Sequence, residues 1–272
     1  MARTPEGPPP EPAVQRLRLR YAKRGRLRFA SHRDFQRSFE RALRRAAVPM
    51  ASSAGFTPHP RISYANAAPT GAASEAEYLE IALTRRCDPE AVRAALDAAM
   101  PDGLDVIEAV EAGPGQLADR LEASHWRVEL PGVEPERLAG AVRAFLAEPR
   151  VEVQRLTKNG LRTFDARGAV AVAAVEPGTT PVAPPDTPQE TESRVTVGRV
   201  RYTPSSCAIL NLVVRHATPA VRPDDVLAAL RAVADLAPLV PPRVTRLAQG
   251  PFNAAVGAVA DPLTADRDAA GT

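Results

Sequence analysis

The feature that most constrains this 272-residue chain is a change of period within its first fifty residues. From Gln15 to Tyr21, Arg16, Arg18 and Arg20 alternate with Leu17, Leu19 and Tyr21. A period of two sends successive side chains to opposite faces and predicts a half-buried β-strand. Soon afterwards the period becomes helical, with Phe35, Phe39, Leu43 and Ala46 recurring every three or four residues. Ser31 stands at the N-cap with Asp34 three residues on, the spacing of a capping pair. Pro49 stops the segment, so Ser31–Ala47 is expected to form an amphipathic helix.

The same reading extends along the chain. Arg61–Ala65 is a short strand. Glu77–Thr84 is a second, with Tyr78, Leu79, Ile81 and Leu83 apolar. Asp88 caps a helix that runs to Met100 with Pro89 at its first position, and Leu104–Val110 is a further strand. The order β-α-β-β-α-β is the ferredoxin-like pattern. It then repeats: a strand at Trp126–Leu130, a helix at Pro135–Ala147, a strand at Val151–Leu156, strand material within Val195–Val214, a helix at Pro223–Leu236 and a strand at Arg243–Leu247. The expected fold class is therefore α+β, with two tandem ferredoxin-like (βαββαβ) domains at residues 14–112 and 121–249. Residues 1–13 are Pro-rich and read as a disordered arm, residues 176–192 as a flexible acidic insertion in the second domain, and residues 250–272, rich in Ala and Asp, as an unstructured tail.

Aromatic residues make up only 4% of the chain, so core volume has to come from Leu, Val and Ala. The longest apolar run, Ala169–Val175, falls far short of the roughly 20 residues that span a bilayer, and the first residues hold no apolar signal core. No membrane partner is expected. Cys87 and Cys207 lie far apart and form no Cys-x-x-Cys pair, which points to the reducing cytoplasm and to no metal site.

Charge is unevenly distributed. Between Val14 and Val48 stand twelve basic residues, Arg16, Arg18, Arg20, Lys23, Arg24, Arg26, Arg28, Arg33, Arg37, Arg41, Arg44 and Arg45, against only Asp34 and Glu40. The whole chain carries +3, so the remainder is net acidic. A basic module on an acidic remainder points to a polyanionic partner. On the helix, Arg33, Arg37, Arg41, Arg44 and Arg45 are three or four apart and form one stripe, able to follow a phosphate backbone. His59 and Arg61 sit in a loop stiffened by Pro58 and Pro60, where they could contact a ligand; His32 begins the helix. His32, His59 and Asp34 are a conceivable catalytic or metal cluster, set against ordinary backbone hydrogen bonding. Arg162-Thr163-Phe164-Asp165-Ala166-Arg167-Gly168, beside Lys158, is a second polar cluster; Asp165 there is a candidate catalytic group or the centre of a salt-linked turn.

Four stretches between Tyr21 and Ile81 carry a family resemblance: Tyr21-x-Lys23-x-Gly25-x-x-Arg28-Phe29-x-Ser31-His32-x-Asp34, the helix Phe39-Glu40-Arg41-Ala42-Leu43-Arg44-Arg45-Ala46, Gly55-Phe56-x-Pro58-His59-Pro60-Arg61-Ile62-Ser63, and Ser74-Glu75-x-Glu77-Tyr78-Leu79-Glu80-Ile81. Together they resemble the radical-SAM-linked bacterial family of unknown function, whose domain is fused to, or encoded beside, a B12-binding radical SAM protein. Asp165-x-Arg167 and Val221-Arg222-Pro223 also fit, and the acidic insertion departs from the pattern. The resemblance implies a separate radical SAM partner, because this chain lacks the Cys-x-x-x-Cys-x-x-Cys motif that holds the iron–sulfur cluster. It also implies an RNA context, since in high-GC bacteria such genes often lie near ribonuclease E/G and ribosomal protein genes. Tandem ferredoxin-like architecture is similar to that of CRISPR repeat endonucleases, which often use a His, and of tRNA pseudouridine synthases, which use an Asp; this is likeness of fold only. The synthase motif Arg-Thr-Asp is interrupted here by Phe164.

The expected function is therefore a non-catalytic RNA-binding or substrate-presenting accessory protein that works with a separate radical SAM protein and holds no cofactor of its own. The alternatives are an RNA-modifying or RNA-cleaving enzyme using His32, His59 or Asp165, and a protein-only scaffold for the radical SAM partner.

Overall fold

The computed structural model describes residues 11–54, 58–157, 160–176 and 206–270. In chain order the elements are β1 (Gln15–Lys23), α1 (His32–Arg45), β2 (Ile62–Ala65), β3 (Ala73–Leu83), α2 (Pro89–Ala99), β4 (Val106–Glu111), β5 (Ala123–Pro131), α3 (Pro135–Ala147), β6 (Glu152–Thr157), β7 (Gly160–Asp165), β8 (Val170–Glu176), β9 (Cys207–Arg215), α4 (Pro223–Ala234), β10 (Arg243–Gly250), β11 (Phe252–Asn253), β12 (Ala258–Val259) and α5 (Thr264–Ala270). The fold is mixed α+β, and among the described residues eight strands belong to one mixed sheet. The chain divides into two compact units, one ending at Trp126 and resuming at Val244, the other Arg127–Arg243.

In the first unit the element order is β-α-β-β-α-β, as the periodicities predict. β1 pairs antiparallel with β3 and with β4, β2 pairs antiparallel with β3, and β10 joins β3 in parallel at Ala73 and Ser74. Leu17, Leu19 and Tyr21 of β1 and Leu79, Ile81 and Leu83 of β3 share one face and pack on Phe35, Phe39 and Leu43 of α1 and on Val92 and Leu96 of α2. The other face is also covered: Ala65, Ala76, Tyr78 and Val110 pack with Leu117, Leu121 and Leu263. A half-buried β1 is thus corrected to one covered on its second face as well from Arg18 onward, while Arg16 stays exposed. The expected tail is corrected too, for β11, β12 and α5 lie within residues 250–270, and Leu263 and Asp266 are buried.

In the second unit β8 and β9 pair antiparallel, with α3 and α4 packed together. The strand at Val151–Leu156 takes its place as β6, but its partner is β7, in a hairpin separate from the larger sheet. β8 occupies the apolar run after Ala169. The acidic insertion after Glu176, the strand material before Ser206 and the Pro-rich residues 1–10 lie outside the described residues.

Candidate nucleic-acid interface

α1 begins where local chemistry dictates. The Ser31 hydroxyl accepts from the Asp34 N–H at 3.2 Å, and the Asp34 carboxylate accepts from the Ser31 N–H at 3.4 Å and from its hydroxyl at 2.7 Å. These bonds from Ser31, with smaller help from Arg37 and Arg33, hold the Asp34 carboxyl below the usual carboxylate range. Phe35, Phe39, Ala42 and Leu43 face the core. At about 100° per residue, Arg33, Arg37, Arg41, Arg44 and Arg45 lie on the opposite arc, and all five are exposed. The row from Arg33 to Arg45 is roughly 18 Å long at 1.5 Å per residue.

The turn Gly25–Phe29, a 3-10 helix before α1, adds Arg26 and Arg28. The Arg28 guanidinium lies 4.6 Å from the ring centroid of Phe29, and Phe29 is 58% exposed. None of Arg26, Arg28, Arg33, Arg37, Arg41, Arg44 and Arg45 is ion-paired among the described residues. Arg41 instead donates to the Ser38 hydroxyl and Arg45 to the Ala99 carbonyl.

β1 behaves differently. Arg18 is 0% exposed. Its Nη1 donates to both oxygens of Asp266 at 2.7 and 2.9 Å, and its Nε to Glu80 at 3.0 Å. Lys23 is buried as well, with Nζ bonded to the carbonyls of Ala68 and Pro69 at 3.3 Å each. Burial pulls the Lys23 pKa down, partly opposed by Glu77. Arg18 and Lys23 are therefore corrected from phosphate contacts to internal braces: the covered second face of the sheet gives them partners inside the protein. Arg20 donates to the Glu75 carbonyl at 2.8 Å. Arg24 bridges Glu75 and Asp105, and Arg16 pairs with Glu80 at 3.2 Å.

His32 is exposed at the start of α1, its ring edge-on to Tyr64 at 5.1 Å. The Tyr64 hydroxyl is buried without a hydrogen-bond partner among the described residues; burial, then Glu40, raises its pKa. His59, also exposed, is held by its backbone, its N–H donating to the Ser53 hydroxyl at 3.1 Å and its carbonyl accepting from the Ser53 N–H at 2.8 Å. Arg61 is exposed just before β2. Among the described residues no group of three or more His, Cys, Asp or Glu could hold a metal ion.

Asp165, in the second unit, accepts N–H groups from Val151, Arg167 and Gly168 at 2.9 to 3.0 Å. Burial raises its pKa, but these three bonds outweigh it and hold the carboxyl below the usual range. Its oxygens are committed to closing a turn, through backbone N–H groups rather than the expected salt links. Nearby, Arg155 reaches Asp225 at 2.7 Å; Lys158 lies outside the described residues.

Three partners escape a sequence reading. Asp266 sits in a stretch with no periodic signal. Glu80, beneath Arg16 and Arg18, looks like an ordinary exposed strand residue. Arg246, paired with Glu77 in a buried cluster with Ser74 and Gln249, is one arginine among many. The one available signal was Glu77 itself, an acid in the middle of an apolar strand.

Fold and surface define a mixed α+β protein that buries some of its basic residues as braces and displays a row of others along the outward face of one helix. The chain belongs to a family of uncharacterized proteins conserved in bacteria, DUF2344, whose model matches residues 16–223. A search of curated proteins gave no match. No helix among the described residues is long and apolar enough to cross a membrane.

Proposed function

We propose that this protein is a non-catalytic RNA-binding accessory protein, with the outward face of α1 and the adjoining turn as its phosphate-contacting surface. One observation carries the reading. Among the described residues Arg26, Arg28, Arg33, Arg37, Arg41, Arg44 and Arg45 have no carboxylate partner, whereas Arg16, Arg18, Arg24, Arg86, Arg93 and Arg267 of the same unit are ion-paired. Guanidinium groups left unpaired in a row suit a polyanion, which they grip through bidentate contacts that set affinity without reading sequence. Exposed Phe29 beside Arg28 adds a surface on which a base can stack.

Two finer points belong to the same reading. The order β5, α3, β8, β9, α4, β10 repeats that of β1, α1, β2, β3, α2, β4, which supports a duplicated ferredoxin-like pattern, with β6 and β7 as an added hairpin. The motifs between Tyr21 and Ile81 support a separate radical SAM protein as the partner that supplies chemistry. Catalysis by Asp165 is disfavoured by its three backbone bonds.

The test is fluorescence anisotropy of a labelled structured RNA across a salt series, with wild type and R33E/R37E/R41E. Each lost phosphate contact lowers the slope of log affinity against log salt by about 0.7–0.9, so the triple variant should lose roughly two to three units of slope. Unchanged affinity and slope would overturn the reading. Equal affinity of wild type for RNA and polyglutamate would favour a protein-only scaffold.

A further inference from the structure

The second face of the first unit's sheet carries a cavity of about 450 Å³, lined among others by Arg16, Arg61, Ser63, Glu80 and Gln116. We infer that this cavity is a binding site for a phosphate monoester of about nucleotide size, held by Arg61 and Arg16. The inference concerns a different surface from α1 and stands independently of the RNA reading.

Charge accounting points to the ligand. Glu80 accepts from Arg16 at 3.2 Å and from Arg18 at 3.0 Å. Arg18 continues to Asp266 at 2.7 Å, and Arg120 meets the same carboxylate at 2.8 Å. That row holds three guanidinium groups and two carboxylates. Arg61 adds a fourth cation, with no ion pair among the described residues. Two positive charges are in excess, and the cations facing the cavity are Arg61, which is exposed, and Arg16, whose side chain is 51% exposed. A phosphate monoester carries between one and a half and two negative charges at neutral pH, about −1.5 to −2, and guanidinium forks match its oxygens. A carboxylate or a phosphodiester brings a single charge and leaves one cation unmatched.

Size and rigidity agree. Pockets of about 300–1,000 Å³ hold organic ligands, and inorganic phosphate would fill only a fraction of this one. The wall at Gln116–Ala118 leads directly into the turn Leu117–Arg120, and Arg120 fastens that turn to the Pro262 carbonyl at 2.9 Å as well as to Asp266. Arg61 is fixed through its backbone, its N–H donating to Ala51 at 2.8 Å and its carbonyl accepting from Ala82 at 3.1 Å. The cavity wall and the backbone that carries Arg61 are held before a ligand arrives, which lowers the cost of ordering the site.

A nucleoside monophosphate and the 5′-phosphate end of an RNA share this chemistry, and the experiment separates them. The full chain is titrated calorimetrically with uridine 5′-monophosphate and with uridine, then with one short RNA in 5′-phosphorylated and 5′-hydroxyl forms. The monophosphate should bind and uridine should not. R61A should weaken monophosphate binding by about tenfold or more, the worth of a charged hydrogen bond, R61K should fall between, and R86A, at an exposed ion pair that does not line the cavity, should match wild type. If the 5′-phosphate strengthens RNA binding and R61A removes that gain, the source is an RNA end; if both RNA forms bind alike while the monophosphate still binds, it is a free phosphorylated compound. Equal binding of uridine and its monophosphate, absence of monophosphate binding, or an R61A protein of unchanged melting temperature and unchanged affinity would each overturn the inference. The RNA reading of α1 is judged separately, from the salt slope of R33E/R37E/R41E on the 5′-hydroxyl RNA.

Discussion

Arg18 and Asp266 stand 248 residues apart in sequence, yet one nitrogen of the guanidinium donates to both oxygens of the carboxylate. Both side chains are 0% exposed. The Gly113 N–H donates to the same carboxylate at 2.9 Å, and the remaining Arg18 nitrogen is taken up by the Gly113 and Gly115 carbonyls. A β-strand near the start of the chain is thereby tied to a short helix at its far end. A charge removed from water in this way is tolerated only because every donor and acceptor around it is met.

Removing one partner should therefore be costly. Asp266→Ala leaves the Arg18 guanidinium buried with Glu80 as its remaining carboxylate, and breaking a buried pair in this manner costs about 3–5 kcal/mol. The lower end is expected here, since Glu80 and two carbonyls stay in place. For a chain of this size that corresponds to a fall of about 6–12 °C in Tm. Differential scanning calorimetry of wild type and variant measures it, and a loss below 2 °C would contradict the account.

The same carboxylate sets a pH dependence. Burial alone would raise the Asp266 pKa, but hydrogen bonds from Arg18, Gly113 and Arg120 outweigh it and hold the group below its ordinary value of 3.8. A folded-state pKa below the unfolded one means stability that is fully present above pH 3.8 and is lost as pH falls through the lower folded value. The stability difference between wild type and Asp266→Ala should be constant from pH 7 to 5 and shrink below about pH 4. Urea unfolding at several pH values reads this directly; a difference that stays constant down to pH 3 would remove Asp266 from the acid limb.

The cap of α1 is a smaller and more local contribution. Ser31→Ala leaves the Asp34 N–H without its acceptor, at a cost of about 1 kcal/mol. Ser31→Asp keeps an acceptor and should restore most of it. Chemical denaturation of the two variants distinguishes a capping role from a general sensitivity of this turn.

These contrasts explain what could be read from the sequence. β1 and α1 were legible because their signals are local: Leu17 and Leu19 alternate with arginines, Phe35 and Phe39 recur at helical spacing, and Ser31 and Asp34 form a capping box within four residues. The burial of Arg18 was not, because alternation says that a side chain faces away from the leucines and not whether something else covers that face. The cover is Leu117, Leu121 and Leu263, drawn from turns with no period. The β6–β7 hairpin was missed for a different reason. Val153 and Phe164 form one buried pair across it, but Leu156 and Leu161 pair while remaining 78% and 63% exposed, so no run of alternating buried residues marks β7. The dipeptide Asn159-Gly160 was the hairpin signal available.

The arginine row itself makes the last prediction, because it is unfavourable for α1 taken alone. Arg33 and Arg37, Arg37 and Arg41, and Arg41 and Arg45 are like charges four residues apart, each pair costing roughly 0.2–0.5 kcal/mol in a helix. Arg41→Glu converts two of these repulsions into attractions and breaks no ion pair, since Arg41 donates only to Ser38. The variant should therefore be more stable than wild type, by about 0.8–2 kcal/mol, while binding RNA more weakly and with a smaller salt slope. A residue that stabilises the fold when reversed and weakens binding at the same time is one kept for contact with a partner. Parallel thermal melts and anisotropy titrations decide it. A destabilised Arg41→Glu protein would mean that Arg41 supports the helix, and the binding role of the stripe would have to rest on the arginines at 33, 37, 44 and 45.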